Sequence, residues 1–224
     1  MAHNYYQQPG GEDRSFAAEA DTLENNGHYV HRFTVHNDII PEMHKLKVAR
    51  ATFWNPDTYN TLDTLFEKER FDIAHFQNIF PLISPSAYAV AQKHNIPVVQ
   101  SLRNYRLMCP TATFFRDGKV CEDCLGKTIP YPGVMHACYR DSRVQSAVVA
   151  GMLGFHHIRK TWSSNVDRFI ALTQFVKDKF IEAGMSGDKI TVKPNFVGHD
   201  PGVGTEPGDY MIFMGRLTPE KGVR

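Results

Sequence analysis

Apolar positions along the chain come in short runs separated by amphipathic stretches, a rhythm that predicts strands alternating with helices. The clearest unit runs from Phe71 to Cys109. Phe71–Phe76 is a short apolar run that closes on His75, Gln77 and Asn78. Pro85–His94 spaces its apolar residues as a helix does, Asn95-Ile96-Pro97 breaks that helix, and Val98–Leu102 is a second strand of the buried kind. Two strands joined by a helix within about thirty residues form a βαβ crossover, which makes the strands parallel. Ligands of such sheets bind beyond the carboxyl ends of the strands. Both ends are polar here, His75-Phe76-Gln77-Asn78 and Arg103-Asn104-Tyr105-Arg106, so the pattern predicts a cleft at these two loops.

The flanking segments extend the same rhythm. Residues 3–13 read as a loop punctuated by Pro9, Gly10 and Gly11, followed by a helix with Phe16, Ala17, Ala20 and Leu23 on one face. Asn26-Gly27 ends that helix, and Tyr29–Val35 is the next strand. The strand that should open a doubly wound sheet is thus missing or vestigial at Met1. Asp57–Lys68 reads as a helix, while Pro41–Asn55 fits either a helix or a loop. Ser142–Trp162 reads as one helix, Val166–Leu172 as a strand, Phe175–Ala183 as a helix capped by Gly184, and Ile190–Lys193 as a strand. The expected fold is α/β, a Rossmann-like doubly wound parallel sheet over residues 1–197. It carries a Cys-, Gly- and Pro-rich insertion at 107–141 that has no clean period. Residues 198–209 read as an interdomain linker. Tyr210–Met214 reads as a strand opening a second domain, cut short over 210–224.

Composition narrows the function classes. A chain of 224 residues can bury a sizeable core, and 42% hydrophobic with 22% charged residues is ordinary for a globular protein. A net charge of +1, with 11 histidines neutral, offers no electrostatic case for nucleic acid. Met1 leads straight into polar residues, which argues against a signal peptide. No apolar run approaches the ~20 residues of a membrane span. The expectation is a cytoplasmic protein. Peripheral contact with the inner face of the membrane stays open through Arg159, Lys160 and Trp162 at the end of the 142–162 helix, although a helix apolar on most sides is more often buried core.

Four groups of residues invite chemistry. Gly10 and Gly11 before a helix let backbone N–H groups approach an anion, or form an ordinary turn. Arg103, Asn104 and Arg106 follow a buried strand, where a guanidinium can meet a phosphate bidentately or hold the next loop in a salt bridge. His75 is a proton carrier or a hydrogen-bonded histidine near the core. Cys109, Cys121, Cys124 and Cys138 all fall within the irregular insertion, with Cys121 and Cys124 in a C-x2-C spacing. That clustering suits a structural zinc held by four thiolates, which leaves no open position for catalysis; reduced thiols or one disulfide are the rival. Arg216 and Lys221, flanked by glycines after the last strand, form either a pyrophosphate clamp or a solvated turn.

In their order and spacing, the stretches HNYYQQPGGED, FDIAHFQNIFPLISPS, LRNYRLMCP, FRDGKVCEDCLGK, VDRFIALTQFVKDKFIEAG, VKPNFV and GRLTPEKGV resemble the family 4 retaining glycosyltransferases of the GT-B fold. The resemblance implies two Rossmann-like domains facing a cleft. The N-terminal one takes a glycan or lipid-linked acceptor and the C-terminal one a nucleoside-diphosphate sugar, with no catalytic metal. Carried onto this chain, Gly10 and Gly11 match the loop beneath donor phosphates and acceptor, with Asp13 on the same stretch. Arg216 and Lys221 match the basic pair on the donor pyrophosphate, and Thr173 and Asn195 lie at strand ends facing the cleft. Arg103 and His75 are the candidate catalytic residues, but Arg103 stands where many members place a histidine, and arginine cannot shuttle a proton. The paired-glutamate segment that grips the donor sugar is absent. The chain is therefore expected to be an acceptor half, inactive by itself. The alternative is a non-catalytic, zinc-stabilised module presenting the 103–106 loop to a phosphorylated ligand or partner.

Overall fold

The computed structural model describes residues 1–8, 10–198, 202, 208–213, 215 and 217. In chain order the elements are β1 (Ala2–Tyr5), α1 (Gly11–Asn25), β2 (Phe33–His36), α2 (Lys45–Phe53), α3 (Pro56–Lys68), β3 (Ala74–Phe76), α4 (Ser86–Lys93) and β4 (Val98–Leu102). There follow β5 (Phe115–Arg116), β6 (Lys119–Val120), α5 (Pro132–Met135), α6 (Arg143–Ile158), α7 (Thr161–Asn165), β7 (Arg168–Ala171), α8 (Gln174–Glu182) and β8 (Ile190–Val192). A six-stranded sheet runs β2-β1-β3-β4-β7-β8, and every pair in it is parallel. The expected Rossmann-like α/β sheet is therefore present, with helices against its faces.

The order reverses direction between β1 and β3, and there the two strands share one register pair, Ala2 with Phe76, before they part. Buried asparagines fill the opening. Asn78 Nδ2 donates to the Asn4 carbonyl at 2.6 Å, and Asn4 Oδ1 accepts from the Leu82 N–H at 2.9 Å. Such a switch point is where open α/β sheets accept ligands, beyond the carboxyl ends of the strands.

The first strand, expected to be missing, is the second strand of the sheet and is paired on both sides. Its polar sequence hides it: His3 and Asn4 are fully buried, but each is hydrogen-bonded, to Asp13 and Asn37. A buried polar group costs little once its partner is supplied by the fold, which a one-dimensional pattern does not see. Strand β2 starts later than expected, since Tyr29 is 75% exposed. The undecided 41–55 stretch becomes the end of a 3₁₀ turn, Asn37–Glu42, and then α2. The single helix expected at 142–162 is broken by Lys160, whose left-handed φ of 55° separates α6 from α7.

Hydrophobic burial centres on β3, β4, β7 and α4, where Phe76, Ala87, Tyr88, Val90, Val98 and Phe169 are sealed from water. Helix α6 joins this core through Val149, Met152 and Leu153, while Val144, Phe155 and Ile158 stay exposed. No helix among the described residues is long and apolar enough to cross a membrane. Residues 210–213, expected as part of a strand, are not one; Tyr210, Met211 and Ile212 are exposed, and an apolar run without a pairing neighbour has no ladder to join. Most of the expected linker 198–209, together with Arg216 and Lys221, lies outside the described residues.

The insertion at 107–141 is built differently. Its regular structure is a two-stranded ribbon, β5 with β6, and the single turn α5. Ala112, Phe114, Asp117, Ala137, Arg140 and Asp141 all take left-handed backbone angles. Each such residue costs of order 1–3 kcal/mol and persists only where the surrounding structure over-determines it. At Gly133 the packing is too close for any side chain: an added Cβ would lie 2.6 Å from Pro110 Cγ.

Candidate functional site

The carboxyl ends of β1, β3, β4, β7 and β8 form one rim, with the start of α1 standing over it. Its centre is Glu19, which α1 presents one turn beyond Phe16 on its buried face. Glu19 Oε1 accepts from Arg103 Nη2 at 2.5 Å and from Lys193 Nζ at 2.8 Å, and Oε2 accepts from Gln77 Nε2 at 2.6 Å. Arg103 Nε also donates to Gln77 Oε1 at 2.7 Å, and its Nη1 donates to Asn195 Oδ1. Ser15 Oγ reaches the same Asn195 oxygen at 3.3 Å, tying α1 to the residue after β8. Arg103 is 3% exposed and Glu19 8%, so this is a nearly dry ion pair. Burial works against the Glu19 charge, but the hydrogen bond from Lys193 and the charge of Arg103 outweigh it and hold the carboxyl below its ordinary range. One carboxylate thus faces two cations, Arg103 and Lys193.

His75 lies one layer below. It shares a proton with Ser101 Oγ at 2.9 Å, and its Nδ1 stands 4.0 Å from Glu19 Oε2. Burial pushes its pKa down to about 4 against the pull of Glu19, so the ring is neutral near pH 7. It supports the rim from beneath.

At the start of α1, Asp13 closes the helix in the manner of a capping box: Oδ2 accepts from the Gly10 N–H at 2.8 Å and Oδ1 pairs with His3 Nε2 at 2.8 Å. Side chains added at Gly10 and Gly11 would meet nothing within 4 Å, so both face open space. Between this turn and β4, Glu12 Oε1 accepts from Asn104 Nδ2 at 2.9 Å. The other oxygen of Glu12 is buried and has no hydrogen-bond partner. Burial pushes the Glu12 carboxyl up, opposed by Asn104 and by the charge of Arg103. Tyr6 sits close by, its hydroxyl also pushed up by burial and by Glu12.

Of the residues singled out from the sequence, Gly10, Gly11, Asp13, Arg103, Asn104 and Asn195 meet at this rim, with His75 under it. Asn78 is spent on the backbone of Asn4 and Phe80 within the switch point. Thr173 is exposed at the end of β7 and caps α8, its hydroxyl accepting from the Val176 N–H at 3.2 Å. Arg106 turns away from the rim: Nη1 donates to the Pro110 carbonyl, and the guanidinium lies 4.4 Å from the Phe80 ring centre and 5.1 Å from that of Tyr139. The four cysteines are free of disulfides and line one small cavity in the insertion. Among the described residues no group of three or more His, Cys, Asp or Glu side chains is already arranged to hold a metal ion.

Glu19, Glu12 and Lys193 were not singled out, and Gln77 was named only as part of the polar loop after β3, though the four carry much of the rim's electrostatics. A signal did exist for Glu19, an acidic residue on the same helical stripe as Phe16, Ala20 and Leu23. Lys193 ends a strand directly before Pro194-Asn195, the same kind of position that drew attention to Arg103.

A family model described as a glycosyl transferase 4-like domain matches residues 10–195 of the 224. No curated protein and no solved structure gives a significant match. The matched span contains the rim residues from Gly10 to Asn195, and of the rim leaves out only β1 with its His3 and the neighbouring Tyr6.

Proposed function

The chain belongs to the glycosyl transferase 4-like domain family, and from that premise we propose that it is the acceptor-binding domain of a retaining glycosyltransferase of GT-B architecture. It moves a sugar from a nucleoside-diphosphate sugar to a glycan or a lipid-linked acceptor, working with a donor-binding domain across the rim. The observation that carries this reading is the buried, unpartnered oxygen of Glu12 beside Asn104, between the start of α1 and the loop after β4. A desolvated carboxylate oxygen with no donor is a place for a sugar hydroxyl to bind. Arg103 and Lys193, the two cations on Glu19, lie at the same rim, and such fixed cations suit the negative charge that builds on a departing diphosphate as the sugar becomes cationic. In this reading Arg103 orients and neutralises, His75 stays a support, and Arg216 and Lys221 grip the donor pyrophosphate. No catalytic metal takes part. The reaction runs at the cytoplasmic face of the membrane, where the exposed Val144, Phe155 and Ile158 beside Arg143, Arg159 and Lys160 suit peripheral contact with the bilayer that carries the acceptor.

The test is turnover of a panel of nucleoside-diphosphate sugars by the complete two-domain enzyme, with the anomeric configuration of the product read by NMR. Retention is expected. Glu12→Gln should lower kcat/KM for the acceptor by about tenfold, the worth of one charged hydrogen bond, while hydrolysis of the donor without acceptor persists. Inversion would remove the retaining assignment. An acceptor kcat/KM untouched by Glu12→Gln would remove the acceptor site from this rim. The 224-residue chain alone should consume no nucleotide sugar.

A further inference from the structure

We propose that Cys109, Cys121, Cys124 and Cys138 form a structural zinc site that locks the 107–141 insertion onto the sheet. The inference is independent of the reading of the rim. All four cysteines border a single cavity of about 10 Å³, closed by Pro110, Thr111, Phe115, Arg116 and Gly133. That is room for about one water-sized body, which suits a single ion. The thiols reach it from three separate parts of the insertion. Cys109 ends the turn after β4, where its N–H donates to the Tyr105 carbonyl at 2.8 Å. Cys121 and Cys124 follow the β5–β6 ribbon in a tight turn, closed by the Leu125 N–H on the Glu122 carbonyl at 2.9 Å and the Lys127 N–H on the Cys124 carbonyl at 3.2 Å. Cys138 comes from beyond α5, its N–H bonded to the Gly133 carbonyl at 2.9 Å. A hairpin leading into a C-x2-C turn, with two further thiols supplied by neighbouring segments, is the donor set of a closed four-thiolate zinc site.

Two further observations favour a metal. Four thiolates around Zn²⁺ leave a net negative charge, and Arg116, which also pairs with Asp117 at 3.3 Å and Asp123 at 3.0 Å, borders the same cavity as a cationic neighbour. The insertion also has six left-handed non-glycine residues and only a two-residue ribbon and one helical turn to hold them. Such a segment needs a cross-link, and the soft sulfur donors select zinc over magnesium or calcium. The side chains do not yet stand at coordination geometry. Metal binding therefore draws the four sulfurs inward from the cavity walls, each giving up its proton.

The test is metal analysis of the purified 224-residue chain, prepared without chelators. One zinc per chain is expected, released by a thiol-modifying mercurial and absent from the Cys121→Ser/Cys124→Ser variant. Cobalt substitution should give the sulfur-to-metal charge-transfer band of a tetrahedral four-thiolate site, a readout that needs no variant to fold. Arg116→Gln should keep the stoichiometry but weaken zinc affinity by about tenfold, as loss of an outer-shell partner does. A chain free of metal with four titratable thiols, an intact mass short by the hydrogens of one or two disulfides, or the colour of an iron–sulfur cluster would each overturn the proposal.

Discussion

The rim of the sheet and the 107–141 insertion lie side by side, yet they are ordered by opposite means. At the rim, five parallel strands bring polar side chains to one edge, and Glu19, Arg103, Gln77 and Lys193 satisfy one another in a nearly dry setting. In the insertion the backbone is held in unfavourable angles around a cavity lined by thiols, and few of its residues enter the main core. The rim is held by its own charges and hydrogen bonds over a hydrophobic layer; the insertion gathers four free cysteines around one cavity. Changes at the rim should therefore act through uncompensated charge, and changes in the insertion should stay local.

The largest effect is expected from Glu19→Ala. It leaves Arg103 buried without a counter-charge, whereas Lys193, 39% exposed, can turn to water. Removing one partner of a buried pair costs about 3–5 kcal/mol. Urea unfolding should show a loss of that order. A loss below about 1 kcal/mol, the worth of a surface ion pair, would mean that Glu19 does not organise the rim.

Next comes the pH dependence of stability. The folded pKa of His75 is lowered to about 4, because burial, the N-terminus, Arg103 and Lys193 outweigh the attraction of Glu19. Below the unfolded value near 6.5, the unfolded chain takes up a proton that the folded chain refuses, so stability falls as pH drops from about 6.5 to 4, by up to about 3 kcal/mol. Glu19 acts in a lower window. Its folded pKa is depressed, so the stability it lends is present above its unfolded pKa and is lost as pH falls through the folded one. His75→Gln should flatten part of the slope between pH 4 and 6.5, with His3 and His156, also lowered by burial, keeping the remainder. An unchanged slope in that variant would exclude His75 as its source.

The same contrast explains what could be read in advance. Val98–Leu102 was legible to the residue, because Val98, Val99 and Leu102 stand between the helix breaker Asn95-Ile96-Pro97 and the polar Arg103-Asn104. Helix α3 was legible to within one residue for the same kind of reason, an amphipathic period between Asn55-Pro56 and Glu69. Strand β1 was illegible, because His3 and Asn4 are buried by virtue of partners ten and thirty-three positions away. Glu19 was overlooked likewise: its role exists only once β4 and β8 bring Arg103 and Lys193 to it. Arg103 and Asn195 could be named from their places after strands, since topology alone sends those places to the rim. The insertion offered no period at all, and only the count and grouping of its cysteines carried information.

The smallest expected effect tests whether the two regions are separate units. Arg106 is the hinge between them. Its N–H donates to Asn104 Oδ1 at 2.9 Å on the rim side, while its guanidinium lies against the touching rings of Phe80 in the core and Tyr139 in the insertion and reaches the Pro110 carbonyl. Arg106→Lys keeps the charge and the backbone bond but loses the flat cation against two rings, a change worth about 1 kcal/mol. If the rim and the insertion are held independently, hydrogen exchange in this variant should quicken over 105–114 and 138–141 and stay unchanged in β4 and β8. Equal quickening in those strands would mean that rim and insertion open as one cooperative unit, with the side chain of Arg106 as part of the rim's own scaffold.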